Sequence, residues 1–375
     1  MTLTSHPNPD LSVGADNKQG WNQPARRRAG FHNAHLLFRR TLMVRSRRVL
    51  DLTPATDPAL TARVTASGLT DLAPFSALVV AQGNHCLFQS AAADFAPDRP
   101  HSLQSISKMH IHLLIGELVQ QGALALSDPI CHHLPWIGSA YAHASLQDVL
   151  DMNVVNDFSE DYADPQADCY AEEQALGWRL PMDDGPEITL RAFLGGLTGT
   201  GQANPGPYAI YKSANTDLLT MLAAQFLNLP AKVEAIADAA GYEGAFHISL
   251  SPEGLPAFSG GGCLSARDLA RFGLLLARGG QAVFGAAQGD TSFLQSALSG
   301  PSPLFGPGRG NLRYARHLIT NGRWIGHTGY GGQFLMVDPP TGRAAAFLSV
   351  LENDSGYDLD YMTSVIAALE AIICT

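Results

Sequence analysis

Strand-forming sequence stands on both sides of a long segment of helices and loops, and this order restricts the fold more than any other feature. Residues 76–89 read SALVVAQGNHCLFQ, in which two apolar runs flank Gly83 and Asn84, a pattern typical of a β-hairpin. Strand character returns in WIGHTGYGGQFLMVDP at 324–339, around a Gly-rich turn, and in AAAFLSVL at 344–351. We therefore expect one sheet assembled from the two ends of the chain.

Helical periodicity fills the middle of the chain. After Ser105, apolar residues recur at helical spacing until Gly122 ends the pattern. Residues 213–227 and 265–280 predict two further amphipathic helices, and residues 360–374 predict a closing helix. Helices therefore separate the two groups of strands and also border the second group.

Together these patterns predict an α/β (α+β) protein with two parts. An antiparallel sheet built from about 30–104 and 240–375 is flanked by helices, and a mostly helical lobe at about 105–240 is inserted beside it. We expect one domain over 29–375, with its site in the cleft between lobe and sheet. Residues 1–28 read as a polar N-terminal arm, and its closing run of three arginines reads as a solvated, flexible segment.

Composition and charge exclude several kinds of partner. The apolar fraction is 46% and the charged fraction 15%, as in compact soluble proteins. A net charge of −10 repels phosphate backbones, so we expect no nucleic acid partner. No segment has the apolar length of a membrane helix, and the N-terminus lacks a signal-peptide core. The five cysteines form no CxxC pair, which predicts reduced thiols and a cytoplasmic location.

Ser105 and Lys108 form an SxxK motif at the start of a predicted helix. Positions i and i+3 share a helix face, so the amine can reach the hydroxyl. A serine hydroxyl needs an adjacent base, and lysine serves when burial and the helix dipole lower its pKa. No acidic residue lies within four positions of Lys108. The spacing alone is common: a capping serine followed by a surface lysine is the alternative, and Ser107 is a weaker competing nucleophile.

Tyr211-Lys212-Ser213 stands where the 213–227 helix begins. A tyrosine hydroxyl that shares a proton with Lys108 can relay it to a leaving group, which is general acid–base catalysis. The alternative is a half-buried core tyrosine followed by a helix-capping serine.

His327-Thr328-Gly329 lies inside GHTGYGGQ, on a predicted strand. The missing side chain of Gly329 leaves room for a substrate against the backbone. The N–H of Tyr330 can then join the N–H of Ser105 in an oxyanion hole. The alternative interpretation of GYGG is an ordinary turn.

The order of these three motifs resembles the serine β-lactamase-like superfamily of class C β-lactamases and penicillin-binding proteins. More narrowly, the chain is similar to the 6-aminohexanoate-dimer hydrolase and family VIII carboxylesterase branch. The supporting stretches are FSEDYADPQAD at 158–168, YKSANTDLL at 211–219, SGGGCLSARDLARFGLLL at 259–276 and GHTGYGGQ at 326–333. The resemblance is collinear over roughly 75–350.

This resemblance implies a role for each motif residue. Ser105 is expected as the acylated nucleophile, Lys108 as its proton partner and Tyr211 as the proton shuttle. The backbone N–H groups of Ser105 and Tyr330 are expected to form the oxyanion hole. A loop that covers the site in this branch corresponds to the residues around Tyr162. The implied substrate contacts are Tyr162, Ser213, His327, Thr328 and Gly329.

Two departures from the β-lactamase pattern bear on the reaction. The second motif is YxS rather than YxN, and the signal peptide of periplasmic β-lactamases is missing, which favours a cytoplasmic amidase or esterase. We expect a serine hydrolase that cleaves a small-molecule amide or ester through an acyl-enzyme, with no cofactor, no metal and no membrane partner. The sequence leaves open whether the protein forms a homodimer. The alternatives are a β-lactamase or D,D-peptidase and a catalytically silent binding relative.

Four acidic residues in the 159–168 stretch suggest a further feature of the substrate. No calcium-loop spacing is present there, so we interpret them as an acidic rim of the site that steers the cationic end of a substrate. They are Glu160, Asp161, Asp164 and Asp168.

Overall fold

The computed structural model describes residues 18–162, 164–181 and 185–375. The strands in these ranges are numbered in chain order. They are β1 (Thr41–Arg45), β2 (Thr53–Pro54), β3 (Phe75–Gln82), β4 (His85–Ala91), β5 (His101–Ser102), β6 (Ala245–Ser249), β7 (Gly262–Leu264), β8 (Arg313–Ala315), β9 (Leu318–Thr320), β10 (Ile325–Gly329), β11 (Gln333–Asp338) and β12 (Arg343–Ser349).

The helices of the same ranges are also numbered in chain order. Short 3₁₀ turns span Leu69–Asp71 and Gln104–Lys108. The α-helices are α1 (Pro24–Leu37), α2 (Pro58–Ser67), α3 (Met109–Gln120), α4 (Ile130–His133), α5 (Leu146–Leu150), α6 (Asp168–Ala175), α7 (Leu190–Gly196), α8 (Ser213–Ala223), α9 (Leu229–Ala240), α10 (Ala266–Ala277), α11 (Thr291–Ser299) and α12 (Leu359–Ile373). Helices α3 to α9 follow one another between β5 and β6.

The strands form two sheets. The larger has the order β2-β4-β3-β12-β11-β10-β9-β8, and the smaller has the order β1-β6-β7-β5. All neighbours pair antiparallel except β2 and β4. Because β3 pairs with β12, the larger sheet joins the two ends of the chain. The predicted α/β fold, with its helical segment inserted between strands, is confirmed.

The predicted hairpin is β3 and β4, joined by Gly83 and Asn84. Gly83 has φ 57°, in the left-handed region that a tight hairpin turn requires and that glycine adopts without strain.

The larger sheet is covered on both faces. Helix α10 packs on one face, against β3, β11 and β12, while α12 packs on the other face beside α2. Alternate side chains of a strand point to opposite faces, so β3 contributes to two hydrophobic cores. Ala77, Val79 and Ala81 belong to the core under α10, and Leu78 and Val80 to the core under α12. This double burial explains the unbroken apolar run of β3.

Helix boundaries follow the capping residues. Helix α10 begins after Ser265, whose hydroxyl accepts from the N–H of Asp268, and it ends before Gly279 and Gly280, which both have positive φ. Helix α8 ends at Ala223, before the predicted Leu227. The shortening follows from the next helix, since α9 starts at a new cap, the side chain of Asn228.

The expectation of a solvated arm is wrong for two of the three arginines that end it, since only Arg26 is exposed. Arg27 is 2% exposed and donates to the carbonyls of Leu351 (2.8 Å) and Asn353 (2.6 Å), and Arg28 pairs with Asp94 at 2.6 Å. The buried carbonyl of Leu351, just after β12, needs a donor, and this long-range need leaves no mark in the local sequence. Residues 1–17 of the arm lie outside the described residues, and the division into arm and domain stays a prediction.

Arg27→Ala should lower the free energy of unfolding by about 2–3 kcal/mol, because the buried carbonyl of Leu351 and the partly buried carbonyl of Asn353 lose their donor. Arg26→Ala is the matched control, since Arg26 is exposed in the same helix, and it should change the value by less than about 0.5 kcal/mol. Urea unfolding followed by fluorescence measures both. Equal effects of the two substitutions would show that residues 18–28 do not stabilise the fold.

Candidate active site

The SxxK motif lies on the 3₁₀ turn Gln104–Lys108, at the entry to α3. In a 3₁₀ helix the side chains at i and i+3 eclipse, which aligns Ser105 with Lys108 more closely than an α-helix does. The Lys108 amine is 3.1 Å from the Ser105 hydroxyl. Gln104 has φ 49°, a strained value for a non-glycine residue, and its amide donates to the Ser102 hydroxyl at 2.7 Å. The strained residue thus directly precedes the predicted nucleophile.

The other serine of the motif has a structural contact. The Ser107 hydroxyl is fully buried and accepts from the N–H of Gly262 at 3.0 Å. It does not line the cleft in which Ser105 is exposed.

Lys108 is fully buried and has three oxygen partners. Besides the Ser105 hydroxyl, its Nζ lies 3.0 Å from the Ser213 hydroxyl and 2.5 Å from the Ser259 carbonyl. A carbonyl only accepts, and the Ser213 hydroxyl gives its hydrogen to Glu160 at 2.8 Å. Both groups therefore accept from Lys108. A neutral amine has two N–H groups and one lone pair, so the lone pair is left for Ser105.

Burial lowers the pKa of Lys108, and nearby carboxylates oppose this shift. The opposing groups are Glu160, Glu172 and Asp217, which come from three separate segments, while the positive charge of Lys18 adds to the lowering. Lys108 therefore has acidic neighbours in the folded protein, although none lies near it in the sequence.

Glu172 and Asp217 lie buried near each other beneath this lysine. Burial raises the pKa of Asp217 to about 6, and burial with the charge of Asp217 raises the pKa of Glu172 well above its ordinary value. Two carboxyl groups this close cannot both ionise readily, so the pair holds a proton. One buried negative charge then balances the Lys108 cation when it forms.

The expected acidic rim is only partly at the surface. Glu160 is half-buried and accepts from the N–H of Ser213 (2.5 Å), from the Ser213 hydroxyl and from the Tyr162 hydroxyl (3.0 Å). Asp168 accepts from the N–H of Ser159 at 2.9 Å and closes the loop. Glu160 thus belongs to the hydrogen-bond network of Lys108, because the start of α8 presents two donors to it.

Tyr211 places its ring over the lysine, with Nζ 5.2 Å from the ring centroid. Burial raises the pKa of Tyr211 well above its ordinary value, and the nearby Ser105 hydroxyl opposes that shift. The Tyr211 hydroxyl is buried near Ser105. It has no hydrogen bond of normal geometry to any residue that the structure describes. Lys212 points the other way and donates to the Asn156 carbonyl at 2.9 Å. It anchors a loop and takes no part in the site.

Gly329 brings the third motif against the first. A Cβ at this position would stand 2.4 Å from the carbonyl oxygen of Leu103, so only glycine lets β10 approach the turn that carries Ser105. We expected this space to be free for the substrate, but the Leu103 backbone occupies it. Thr328, Gly329 and Tyr330 nevertheless line the cleft.

His327 is not among the described residues that line the cleft, and its expected contact with the substrate stays a prediction. It is fully buried, with Nδ1 2.6 Å from the Thr328 carbonyl and Nε2 3.1 Å from the Tyr314 hydroxyl. A carbonyl only accepts, so Nδ1 carries the hydrogen and Nε2 accepts from Tyr314. Burial lowers the pKa of His327 to about 3, which keeps the ring neutral. Ser213 is also not among the described residues that line the cleft, and its hydroxyl bonds to Lys108 and Glu160.

The cleft in front of Ser105 has an empty volume of about 880 Å³. Tyr162 closes one side; it is 36% exposed, and its ring lies 5.4 Å from the Tyr330 ring. Three cleft residues, Phe305, Arg309 and Tyr357, were not predicted as part of the site, because no motif spacing marks them. The lining residues are Ser105, Glu160, Tyr162, Tyr211, Phe305, Arg309, Thr328, Gly329, Tyr330 and Tyr357.

The N-terminal segment supports this wall from behind. Lys18 is 5% exposed, pairs with Glu173 at 2.5 Å and lies 5.8 Å from the Tyr162 ring centroid. The Arg27 guanidinium lies 5.5 Å from the ring centroid of Tyr330. The rings of Tyr162 and Tyr330 are therefore both backed by cations from the segment that was expected to be an arm.

The described part of the chain lacks two other functional features. In residues 18–162, 164–181 and 185–375, no group of three His, Cys, Asp or Glu side chains is placed to hold a metal ion. No helix in those ranges combines the length and apolar character needed to cross a bilayer.

A serine paired with a buried lysine, a tyrosine from a second segment and a strand edge bearing His-Thr-Gly define a class, the serine β-lactamase-like hydrolases. Residues 73–227 and 225–364 match the Beta-lactamase family model. The chain belongs to this family, and it is a hydrolase of the β-lactamase-like type.

The chain is also similar to individual proteins of known name. The chain is 31% identical over 295 residues to a 6-aminohexanoate-dimer hydrolase of Paenarthrobacter ureafaciens, covering 73% of this chain and 72% of the relative. Two solved structures share the fold at 17% identity. One, provisionally named a 6-aminohexanoate-dimer hydrolase from Bacillus anthracis, has a TM-score of 0.78 and covers 98% of this chain and 97% of its own. The other, a D-stereospecific amidohydrolase from Streptomyces, has a TM-score of 0.59 and covers 85% and 99%.

Acid should destabilise the protein through its buried neutral histidines. The folded-state pKa of His327 is about 3 against an ordinary 6.5, so the unfolded chain binds the additional proton between these pH values. Stability is therefore complete above pH 6.5 and is lost as pH falls toward 3.

His327→Gln should reduce this pH dependence by up to about 1.4 kcal/mol per pH unit. Urea unfolding at a series of pH values measures the slope. His85→Gln serves as the control because His85 is exposed, and its slope should match that of the unsubstituted protein. Identical slopes for all three proteins would mean that His327 is not held neutral by the fold.

Proposed function

We propose that this protein is an amidase that cleaves a small linear amide through an acyl-enzyme on Ser105, with esters as further substrates. Ser105 attacks the carbonyl carbon, and its proton passes to Lys108. The amine leaves, and water then hydrolyses the acyl-enzyme in a second step.

The observation that carries this proposal is the set of three oxygen contacts around the buried amine of Lys108. Its two other partners both accept hydrogen bonds, so a neutral Lys108 turns its lone pair to the Ser105 hydroxyl 3.1 Å away. Burial favours that neutral form. A general base needs this geometry and a lowered pKa together.

Tyr211 is proposed to deliver the proton to the leaving group. Its hydroxyl is buried beside Ser105 and has no other hydrogen-bond partner among the described residues. It can therefore give its proton to the leaving nitrogen and regain one from Lys108, which has taken the proton of Ser105. An amide needs this step because an unprotonated amine anion is a very poor leaving group.

The oxyanion hole is proposed to be the N–H groups of Ser105 and Tyr330. Ser105 lies in the first turn of a helix, where N–H groups lack intrahelical partners, and Tyr330 directly follows β10. Both residues line the same cleft. Two such donors stabilise the charge that develops on the carbonyl oxygen.

The names of the relatives support an amide as the bond that is cut. The relative at 31% identity is named for the hydrolysis of an amide dimer. Tyr162 lines the cleft and donates its hydroxyl to Glu160, which also lines it, and this supports Tyr162 as a substrate contact. We also propose a cytoplasmic location, supported by five cysteines that are all unpaired.

A fluorophosphonate probe should label Ser105, and Ser105→Ala should lose both the adduct and at least about 1000-fold in kcat/KM, since the nucleophile is removed. Peptide mapping by mass spectrometry locates the adduct. Ser107→Ala is the comparison, because it removes the neighbouring hydroxyl and should keep the label. An adduct that persists in Ser105→Ala would refute the proposed nucleophile.

Tyr211→Phe should lower kcat for an amide by about 100- to 10,000-fold and for a p-nitrophenyl ester much less. The reason is the leaving group, since p-nitrophenolate departs without a proton and an amine does not. Tyr208→Phe is the matched control; Tyr208 is 38% exposed, three positions upstream, and its loss should change neither rate. Equal losses for amide and ester would exclude Tyr211 as the proton donor.

A further inference from the structure

Tyr330, whose N–H is proposed to complete the oxyanion hole, stands in a turn that needs support from outside. The turn is Tyr330-Gly331-Gly332, between β10 and β11. Gly331 has φ 93° and Gly332 has φ 101°, in a region that glycine enters freely, and glycine is also the residue with the most backbone freedom to lose. A donor in an oxyanion hole has to keep its place within about 0.5 Å. Contacts from other segments therefore have to fix this turn.

The segment 351–356, which follows β12, holds the middle of the turn. The N–H of Gly331 donates to the Gly356 carbonyl at 3.0 Å, and the Gly331 carbonyl accepts from the N–H of Leu351 at 2.7 Å. A Cβ on Gly356 would stand 2.3 Å from the side chain of Tyr330, so the segment also lies directly against that ring. Both backbone polar groups of Gly331, the residue next to Tyr330, are thus bound to this segment.

Arg27 of α1 holds the segment in turn. Its guanidinium donates to three carbonyls of the segment, those of Leu351 (2.8 Å), Asn353 (2.6 Å) and Asp354 (3.4 Å). The same guanidinium lies 5.5 Å from the ring centroid of Tyr330. One buried side chain therefore connects the N-terminal helix to the segment that fixes the turn.

Phe31 supports the turn from the same face of α1. Residues four apart share a helix face, so Phe31 lies one turn beyond Arg27 on that face. Phe31 is fully buried, and a Cβ on Gly331 would stand 2.5 Å from its ring. Its ring centroid lies 6.3 Å from that of Tyr330. Helix α1 thus contacts the turn directly through Phe31 and indirectly through Arg27.

We propose that Arg27 is a positioning residue for the reaction, which acts through the segment 351–356 to hold the N–H of Tyr330 in the oxyanion hole. This inference rests on the proposed function, of which the oxyanion hole is a part. Arg27 is not among the described residues that line the cleft. It therefore affects the step in which negative charge develops on the carbonyl oxygen, and not the contacts that the substrate makes before that step.

Arg27→Ala should lower kcat/KM for p-nitrophenyl butanoate by about 10- to 100-fold per active site, since a misplacement of about 1 Å costs on the order of 100-fold in rate. Exhaustive fluorophosphonate titration counts the active sites. Butylboronic acid is the probe of the oxyanion hole, because it adds to a serine oxygen and forms a tetrahedral anion. Its inhibition constant should rise by the same factor as kcat/KM falls.

The inhibition constant separates positioning from stability. It does not depend on how much of the protein is folded, so an enzyme that is only less stable keeps the unsubstituted value. Arg28→Ala is the matched control, because Arg28 in the same helix donates to the carbonyls of Pro74 (3.3 Å) and Phe75 (2.9 Å), in a different segment. Arg28→Ala should leave the inhibition constant unchanged.

Arg27→Lys is the second variant, and it tests the same contact with a smaller disturbance. An ammonium group keeps the charge but lacks the planar fork that reaches several carbonyls at once. The inhibition constant should therefore rise less than in Arg27→Ala. Urea unfolding shows which variants are folded under the assay conditions.

The outcomes distinguish this inference from the proposed function. An unchanged inhibition constant in both Arg27 variants, or an equal rise in Arg28→Ala, would overturn the positioning role. If Arg27→Ala does not fold, an unchanged value in Arg27→Lys would overturn it. Absence of both a fluorophosphonate adduct at Ser105 and inhibition by the boronic acid in the unsubstituted protein would instead overturn the proposed function.

Discussion

The contact on which the site depends is the one between the buried amine of Lys108 and the hydroxyl of Ser105. Burial lowers the pKa of this amine, and a buried amine also needs acceptors for its N–H groups, which the Ser259 carbonyl and the Ser213 hydroxyl provide. These acceptors come from segments more than a hundred residues away from the motif. The proposed catalytic pair is therefore local in sequence, but its surroundings belong to the assembled fold.

The rest of the structure holds this contact in place at short range. Gly329 allows the His327-Thr328-Gly329 motif to touch the backbone of Leu103, two residues before Ser105. The strained Gln104 turns the chain between Leu103 and Ser105. Beneath them, the buried carboxyl pair Glu172 and Asp217 supplies the negative charge that an ionised Lys108 requires. A rigid turn and a charge-balanced floor are what a general base needs to act at neutral pH.

Sequence patterns failed where a side chain's partner lies far along the chain. The run that contains Arg27 has the composition of a solvated arm, yet its guanidinium donates to the carbonyls of Leu351 and Asn353. The motif that contains His327 did not indicate that the Tyr314 hydroxyl and the Thr328 carbonyl contact both of its ring nitrogens. Arg309 belongs to no motif at all. In each case the deciding factor is which group lies across the gap, and local composition does not encode that.

The sequence by itself determined the order of strands and helices, the hairpin at Gly83, the family and the three motifs, because periodicity and short spacings act over a few residues. The tertiary structure alone decided which groups face each other: the Lys108 amine and the Ser105 hydroxyl, Glu160 and Ser213, and the Arg309 guanidinium beside the ring of Phe305. Electrostatics and hydrogen bonding depend on distance and burial in space, and the linear chain specifies neither until it has folded.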